Sequence, residues 1–274
     1  MELDLSVVVP CFNEEAGLGA TVPRILAVLP SLAANYEVVL SDDGSDDRTG
    51  SVMERLSRDY TVVRAVFGEC HAGKGAALTR GLGAARGKIR AFVDADLEIS
   101  PDYLTDLVGA IRQGADAAIG SKRLAGPQES DRTATRRLAT TTYNTLVKIL
   151  FGSPLKDHQA GIKAFRGEVV EEILPQMLSE GWIWDTEFLL RALSRGYKVD
   201  EVPVTVRPVR TSKVNTARDS IRMLRGLIGL RARGLTARSG PARFHRCLPL
   251  VEGSGACSGT VGRSSDVRAS GCDS

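Results

Sequence analysis

An α/β fold with a mostly parallel sheet and helices on both faces is predicted by two features of this 274-residue chain. Short β-branched apolar runs alternate with stretches of helical spacing through the first hundred residues. Each of the clearest runs ends directly on a polar or acidic cluster. A β-α-β-α-β order of this kind favours a doubly wound sheet.

The elements follow in order. Leu5-Ser6-Val7-Val8-Val9 reads as a strand that stops at Pro10, and residues 14–29 have helical spacing. Tyr36-Glu37-Val38-Val39-Leu40 is a second strand, closed by Asp42-Asp43-Gly44-Ser45. Ser45-Asp46-Asp47 looks like a helix start, with its acids placed well for the helix dipole. A third strand is expected at 61–67, a helix at 75–86, and a fourth strand at 89–93 leading into Asp94-Ala95-Asp96. Further helices are predicted at 102–113, 133–151, 185–195 and 216–233, with strands at 117–119 and 199–206 and a loop at 126–131. Beyond 236 the composition shifts to Gly, Ser, Ala, Thr and Arg, and an irregular, poorly ordered tail is expected. In such sheets ligands bind outside the carboxyl ends of the strands. Residues 11–14, 42–45 and 94–96 therefore converge on one edge.

Composition narrows the class. A 43% hydrophobic and 25% charged chain is ordinary globular material, which excludes wholesale disorder and collagen-like architecture. Its five cysteines are scattered without a C-x-x-C pair, so neither a disulfide framework nor a zinc site is expected and a reducing cytoplasm fits. No stretch reaches the roughly 18 apolar residues that span a bilayer, and the first residues lack the basic start of a signal peptide. Charge is unevenly placed. Residues 205–246 hold 11 Lys and Arg against a single acid, Asp219. That basic segment points to an anionic partner, the alternative being a solvated basic helix. Nucleic acid is not expected, because no aromatic stacking platform accompanies the arginines.

Asp94 and Asp96 carry the chemistry. Two carboxylates two residues apart on a turn leaving a strand face one divalent cation together, and hard oxygen ligands suit Mg2+ or Mn2+ with substrate phosphates completing the shell. A lone D-x-D also occurs as a helix cap, but Ser100 before Pro101 is the better cap here. That leaves Asp94, Asp96 and Glu98 without a structural task. Asp42-Asp43-Gly44-Ser45 reads as a turn by itself, and beside a second acidic strand end as a candidate for the base and ribose of a nucleotide. Glu14 is placed to do likewise while Phe12 flanks the base. Residues 68–75 match G-x-x-x-x-G-K and then fail, because Gly75 stands where Ser or Thr would ligate Mg2+. Lys74 is expected instead at a helix start close to the nucleotide, with His71 a loop residue. Lys122 and Arg123 after one strand, and Arg207, Arg210 and Lys213 after another, suit a leaving diphosphate or a phosphorylated acceptor.

With these motifs in order, the chain resembles the family 2 inverting glycosyltransferases of GT-A fold. The resemblance rests on Pro10-x-Phe12-Asn13-Glu14-Glu15, Asp42-Asp43-Gly44-Ser45, Gly73-Lys74-Gly75-Ala76-Ala77 and Asp94-Ala95-Asp96-Leu97. Residues 120–123, 157–165, 181–187, 201–204 and 212–214 narrow it toward dolichyl-phosphate β-glucosyltransferases and dolichol-phosphate mannose synthases, the former fitting better. The resemblance implies that Pro10, Phe12, Glu14, Ser41 and Asp43 hold the nucleoside. It implies that Asp94, Ala95 and Asp96 meet the diphosphate and metal, with Glu98 a further ligand. Lys122, Arg207 and Lys213 would contact phosphates, with Arg136 a weaker candidate. His71 stands where the family often has Asn or Arg, and Phe12 where Tyr is commoner.

The implied reaction moves a hexose from UDP-glucose or GDP-mannose to a polyprenyl or dolichyl phosphate with inversion. A phosphate oxygen is already ionised, so no strong general base is needed. A hydroxyl acceptor would need one, Asp157 or Asp185. Two alternatives are a soluble family 2 enzyme acting on a small hydroxyl acceptor and a non-catalytic nucleotide-sugar-binding module. The expected organisation is a GT-A domain at 1–213, an amphipathic basic helix at 214–235 and a tail at 236–274. In that helix Ile221, Leu224, Leu227, Ile228 and Leu230 oppose Arg218, Arg222, Arg225, Arg231 and Arg233. It reads as an interfacial helix on an anionic leaflet, hence peripheral at the cytoplasmic membrane face, or as a helix packed on the domain.

Overall fold

The computed structural model describes residues 2–125, 134–207 and 216–237. Its strands are β1 (Leu5–Cys11), β2 (Tyr36–Asp42), β3 (Val63–Val66), β4 (Ile89–Val93), β5 (Ala117–Ser121), β6 (Ile162–Arg166) and β7 (Val199–Pro203). Its α-helices are α1 (Leu18–Val28), α2 (Thr49–Asp59), α3 (Lys74–Ala84), α4 (Leu104–Arg112), α5 (Ala134–Phe151), α6 (Gly167–Ile173), α7 (Trp184–Ser194) and α8 (Thr216–Ala232). The strands form a seven-stranded sheet in the order β3-β2-β1-β4-β6-β5-β7. All neighbours pair in parallel except β6, which runs antiparallel to both β4 and β5.

Helices cover both faces. Alternation along β1 sends Val7 and Val9 to one face, where they meet Leu18, Val22 and Ile25 of α1 and Leu104 and Leu107 of α4. Val8 points the other way, into Leu78 and Leu82 of α3, Val170 of α6, and Trp184 and Phe188 of α7. A third cluster joins Val147 and Phe151 of α5 to Leu227 and Leu230 of α8 and Leu190 of α7.

The expected parallel alternation is present, with two differences. The strand β6 and helix α6 were not anticipated. Lys163 sits in the middle of β6 and is completely buried, so a polar letter interrupts what is a two-sided buried strand. The second difference is at the edges of helices. Helix α1 starts at Leu18 rather than at 14, because Asn13, Glu14 and Glu15 all engage the β2–α2 loop and the first residue of α2 through backbone N–H bonds to Ser45, Thr49 and Asp47.

Two features open a crevice at the carboxyl edge. Strand β1 pairs with β2 as far as Cys11, but its ladder with β4 ends at Val8 opposite Phe92. Pro10 lies beyond that point and brings no N–H to extend the ladder. The chain order also reverses there, with β2 on one side of β1 and β4 on the other, which makes it the switch point of the sheet. Because β6 is reversed, its entry rather than its exit lies at this edge, and Ile162 pairs with Val93.

Candidate active site

The turn after β4 is built to present two acids. The Asp94 N–H donates to Gly161 O at 2.9 Å, and the Leu97 N–H donates to Asp94 O at 3.1 Å. Leu97 takes φ 49°, a conformation costly for a leucine, and its buried side chain in the core holds it there. Ala95 is turned inward, and its carbonyl accepts the Thr21 hydroxyl at 2.6 Å. Asp94 and Asp96, on either side of it, remain partly exposed. Asp96 also accepts the Glu98 N–H at 3.1 Å, which tightens the turn.

A chain of alternating charges runs from this turn into the core. Lys74 Nζ lies 2.6 Å from Asp94 Oδ1 and 4.0 Å from Asp185 Oδ2. Asp185 Oδ1 in turn lies 2.6 Å from Lys163 Nζ, which also donates to Ala160 O at 2.7 Å. Both ammonium groups approach the Phe92 ring, at 5.3 and 5.1 Å from its centroid. Burial pulls the Lys74 ammonium down, but Asp94, Asp185 and Asp96 outweigh it and hold its pKa above the ordinary lysine value. Burial pushes both Asp94 and Asp96 above the usual carboxylate range, with repulsion between them adding to Asp94 and Glu98 and Glu14 adding to Asp96. The Lys74 ammonium is thus stabilised while the Asp94 and Asp96 carboxylates are not, so negative charge is in excess at this turn.

That excess fits a divalent cation. The donor set is carboxylate oxygen, as Mg2+ or Mn2+ prefers. Among the described residues no group of three or more His, Cys, Asp or Glu side chains is gathered to cage a metal by itself. Asp94 and Asp96 would therefore share the ion with oxygens of a substrate.

The antiparallel strand brings residues 157–161 to the same turn. Asp157 is fully buried; it accepts the Lys122 N–H at 3.2 Å and the Gln159 N–H at 3.0 Å, and its Oδ2 lies 4.0 Å from Lys122 Nζ. Glu201 of β7 holds the segment from behind by accepting the N–H groups of Lys156 and Asp157 at 3.0 and 3.1 Å. His158 is buried between Ser153 and Asn144. Its Nδ1 lies 2.9 Å from Asn144 Oδ1, an acceptor only, so Nδ1 carries the proton and Nε2 accepts from Ser153 Oγ at 2.8 Å. Gly161 abuts the Asp94 carboxylate so closely that a Cβ there would overlap it. Arg207 is exposed, and its N–H donates to Glu98 O at 2.8 Å, which brings that basic residue beside the acidic turn.

On the opposite side lie the residues expected to hold a nucleoside. Pro10 and Phe12 are half-buried at the end of β1. The Glu14 carboxylate is near enough to Asp96 to raise its pKa. Asp43 is buried and bound by the 71–73 loop, whose Gly73 N–H donates to it at 2.7 Å. Ser41 lies beneath the crevice, completely buried, with its hydroxyl spent on Ala77 O at 2.7 Å. Gly75 explains the broken P-loop pattern. A Cβ there would sit 2.6 Å from Trp184 Cβ and 2.7 Å from Glu180 O, so Ser or Thr has no room.

Lys213 lies outside the described residues, as do the expected loop at 126–131, the side chain of Arg136 and all of the tail beyond 237. Two participants escaped the residue-by-residue reading. Lys163 left a signal, a lysine inside an apolar run, which demands a buried partner. Trp182, exposed and 6.0 Å from Lys74 Nζ, left none beyond its aromatic type.

Two predictions follow from these contacts. Gly161→Ala displaces the Asp94 carboxylate, so the catalytic rate falls by about a hundredfold while circular dichroism and Tm stay near wild type; unchanged turnover would show that this placement is unnecessary. Burial also pushes His158 down from 6.5 to about 4. The unfolded chain then takes up a proton that the native chain refuses, so stability falls as pH drops from 6.5 toward 4. The loss amounts to about 3 kcal/mol at the lower end. A Tm–pH profile measured for wild type and His158→Gln should show this slope flattened in the variant.

The chain is similar to known proteins over most of its length. Residues 6–174 match the family model described as Glycosyl transferase family 2. Glycosyltransferase AglD of Haloferax volcanii is 36% identical over 224 residues, covering 81% of this chain and 36% of that protein. The dolichyl-phosphate beta-glucosyltransferase of Saccharomyces cerevisiae is 30% identical over 249 residues, covering 84% of this chain and 75% of that one. The polyprenol monophosphomannose synthase of Mycolicibacterium smegmatis is 33% identical over 204 residues, covering 73% and 76%. The chain therefore spans little more than a third of the archaeal relative's length, at 36%. Among solved structures, glucosyl-3-phosphoglycerate synthase of Mycobacterium tuberculosis, in complex with Mn2+, uridine diphosphate and phosphoglyceric acid, shares the fold with a TM-score of 0.64. It is 24% identical over 87% of this chain and 81% of that one. The chain belongs to glycosyltransferase family 2 and is a glycosyltransferase of GT-A-like fold.

Proposed function

We propose that this enzyme transfers a hexose from a nucleoside-diphosphate sugar, UDP-glucose or GDP-mannose, to the phosphate of a polyprenyl or dolichyl phosphate, with inversion at the anomeric carbon. The observation that carries the reading is the state of the two candidate bases. Asp157 and Asp185 are both buried, the first held by backbone N–H groups and the second by Lys163. Neither is placed to deprotonate a hydroxyl acceptor, whereas a phosphate oxygen arrives already ionised. The yeast and mycobacterial relatives, named for dolichyl-phosphate and polyprenol phosphate products, support the same acceptor class.

Phe12, Asp43 and Glu14 border the nucleoside. Asp94 and Asp96, with Glu98 beside them, would hold Mg2+ or Mn2+. That cation, when bound, supplies countercharge for the diphosphate as it leaves. Lys74 keeps the Asp94 carboxylate in place, and Lys122 and Arg207 lie where phosphate oxygens of donor or acceptor need positive charge. The acceptor oxygen forms its bond to the anomeric carbon as the bond to the diphosphate breaks on the opposite face.

Helix α8 supports contact with a lipid surface. No helix among the described residues is long and apolar enough to cross a membrane. The expected apolar side of α8 is divided. Leu227 and Leu230 are buried against α5, while Leu224 and Ile228 are 42% and 58% exposed next to exposed Arg225 and Arg231. On the packed neighbour α5, Val147 and Phe151 are buried and Ile149 is 72% exposed. Apolar side chains rimmed by arginines suit an anionic leaflet.

Two measurements test the proposal. UDP-glucose and GDP-mannose are each offered with a short polyprenyl phosphate or the corresponding polyprenol, with and without Mn2+. Product is expected only with the phosphate and the metal, and it should fall about a thousandfold in Asp96→Ala. Comparable transfer to the alcohol would contradict the acceptor assignment. In flotation with phosphatidylglycerol-containing vesicles, the combined Ile149→Ser, Leu224→Ser and Ile228→Ser variant is expected to lose most of its binding; undiminished flotation would remove the membrane contact.

A further inference from the structure

His71 occupies an unusual position for a loop residue. Its imidazole stacks on the Phe12 ring, with centroids 3.9 Å apart and planes inclined by 23°. Its Nδ1 lies 2.8 Å from Asp43 Oδ2. The same carboxylate accepts the Gly73 N–H at 2.7 Å and the Ala72 N–H at 3.3 Å. With these partners in place the Asp43 side chain is only 2% exposed, while that of His71 is 55% exposed.

A planar ring lying on Phe12 and offering an N–H to Asp43 satisfies the two groups assigned to the nucleoside. Uracil N3–H and guanine N1–H offer the same combination of flat ring and N–H donor. A base that pairs with the Asp43 carboxylate has to displace the imidazole nitrogen that lies 2.8 Å from Oδ2. The outward side of His71 is open, so the ring is able to leave by rotating its side chain into water without disturbing the fold.

We infer that His71 is a resident competitor for the nucleoside base: its imidazole fills the base subsite on Phe12 and Asp43 in the donor-free enzyme, and donor binding expels it. The inference rests on the nucleoside reading of Phe12 and Asp43 given above. It adds that apparent donor affinity is lowered by the fraction of molecules in which the ring is seated.

The test is binding of UDP and of GDP, each with Mn2+, measured by calorimetry on the full chain. The proteins are wild type, His71→Ala, His71→Asn and the double variant His71→Ala with Phe12→Ala. Removing a seated ring held by one stack and the contact of its Nδ1 with Asp43 should tighten nucleotide binding roughly tenfold. His71→Asn, which keeps a donor but loses the stack, should fall between. Binding in His71→Ala that is unchanged or weaker would overturn the inference, since a ring that merely supports the loop or contacts the bound base cannot yield a gain on removal. Phe12→Ala added to His71→Ala, where no imidazole competes for the same ring face, separates the two levels. Weaker nucleotide binding in that double variant than in His71→Ala, without tightening in His71→Ala itself, retains the nucleoside site and rejects the competitor. Equal binding in the double variant and His71→Ala rejects the nucleoside assignment and the competitor with it.

Discussion

An imbalance of charge at the end of β4 is the constraint on which the site depends. Asp94 and Asp96 share their surroundings with Glu98 and Glu14, and the close ammonium, Lys74, is itself divided between Asp94 and Asp185. Behind it, Lys163 neutralises Asp185 in full burial, where leaving either partner alone would cost about 3–5 kcal/mol. The core therefore balances its own charges and leaves the crevice short of positive charge. A divalent cation would answer that deficit, and Lys122 and Arg207 are the basic groups proposed to meet a diphosphate there.

The fold produces this arrangement by a few local departures from regularity. The β1–β4 ladder stops at Val8, two residues before Pro10, and the strand ends part beyond it. The reversal of β6 delivers its entry, instead of its exit, to the carboxyl edge of the parallel strands, so Gly161 meets Asp94 and Asp157 meets Lys122. Leu97 accepts a strained backbone so that Ala95 turns inward and the acids on either side turn out. Each departure is held by burial elsewhere, which is how strain persists at a working site. Helix α8 serves two ends at once, since one part of its apolar side completes the core with α5 and another faces outward among arginines.

Much of this was legible in the sequence because it is local. Strands that stop on Asp42 or Asp94 announce a ligand edge, and the pairs around Asp43 and Asp96 lie where that logic puts them. What escaped was long-range. Strand β6 was hidden because Lys163 looks like a surface letter until Asp185, 22 residues away, is seen beside it. Ser41 and Ala95, read as ligand contacts by resemblance, have side chains that belong to the layer below the crevice, and no local pattern distinguishes the two. The closeness of Gly161 to Asp94 and of Gly75 to Trp184 depends on packing between distant segments. His71 looked like an ordinary loop residue for the same reason, since its stack on Phe12 spans two strand ends.

The most direct test of the charge account is Mn2+ binding itself, followed by loss of the free-ion EPR signal during titration in the presence of UDP. Saturable binding to the wild-type chain is expected, lost in both Asp94→Asn and Asp96→Asn while Asp157→Asn keeps it. Binding of equal affinity and stoichiometry in the Asp94 and Asp96 variants would contradict it.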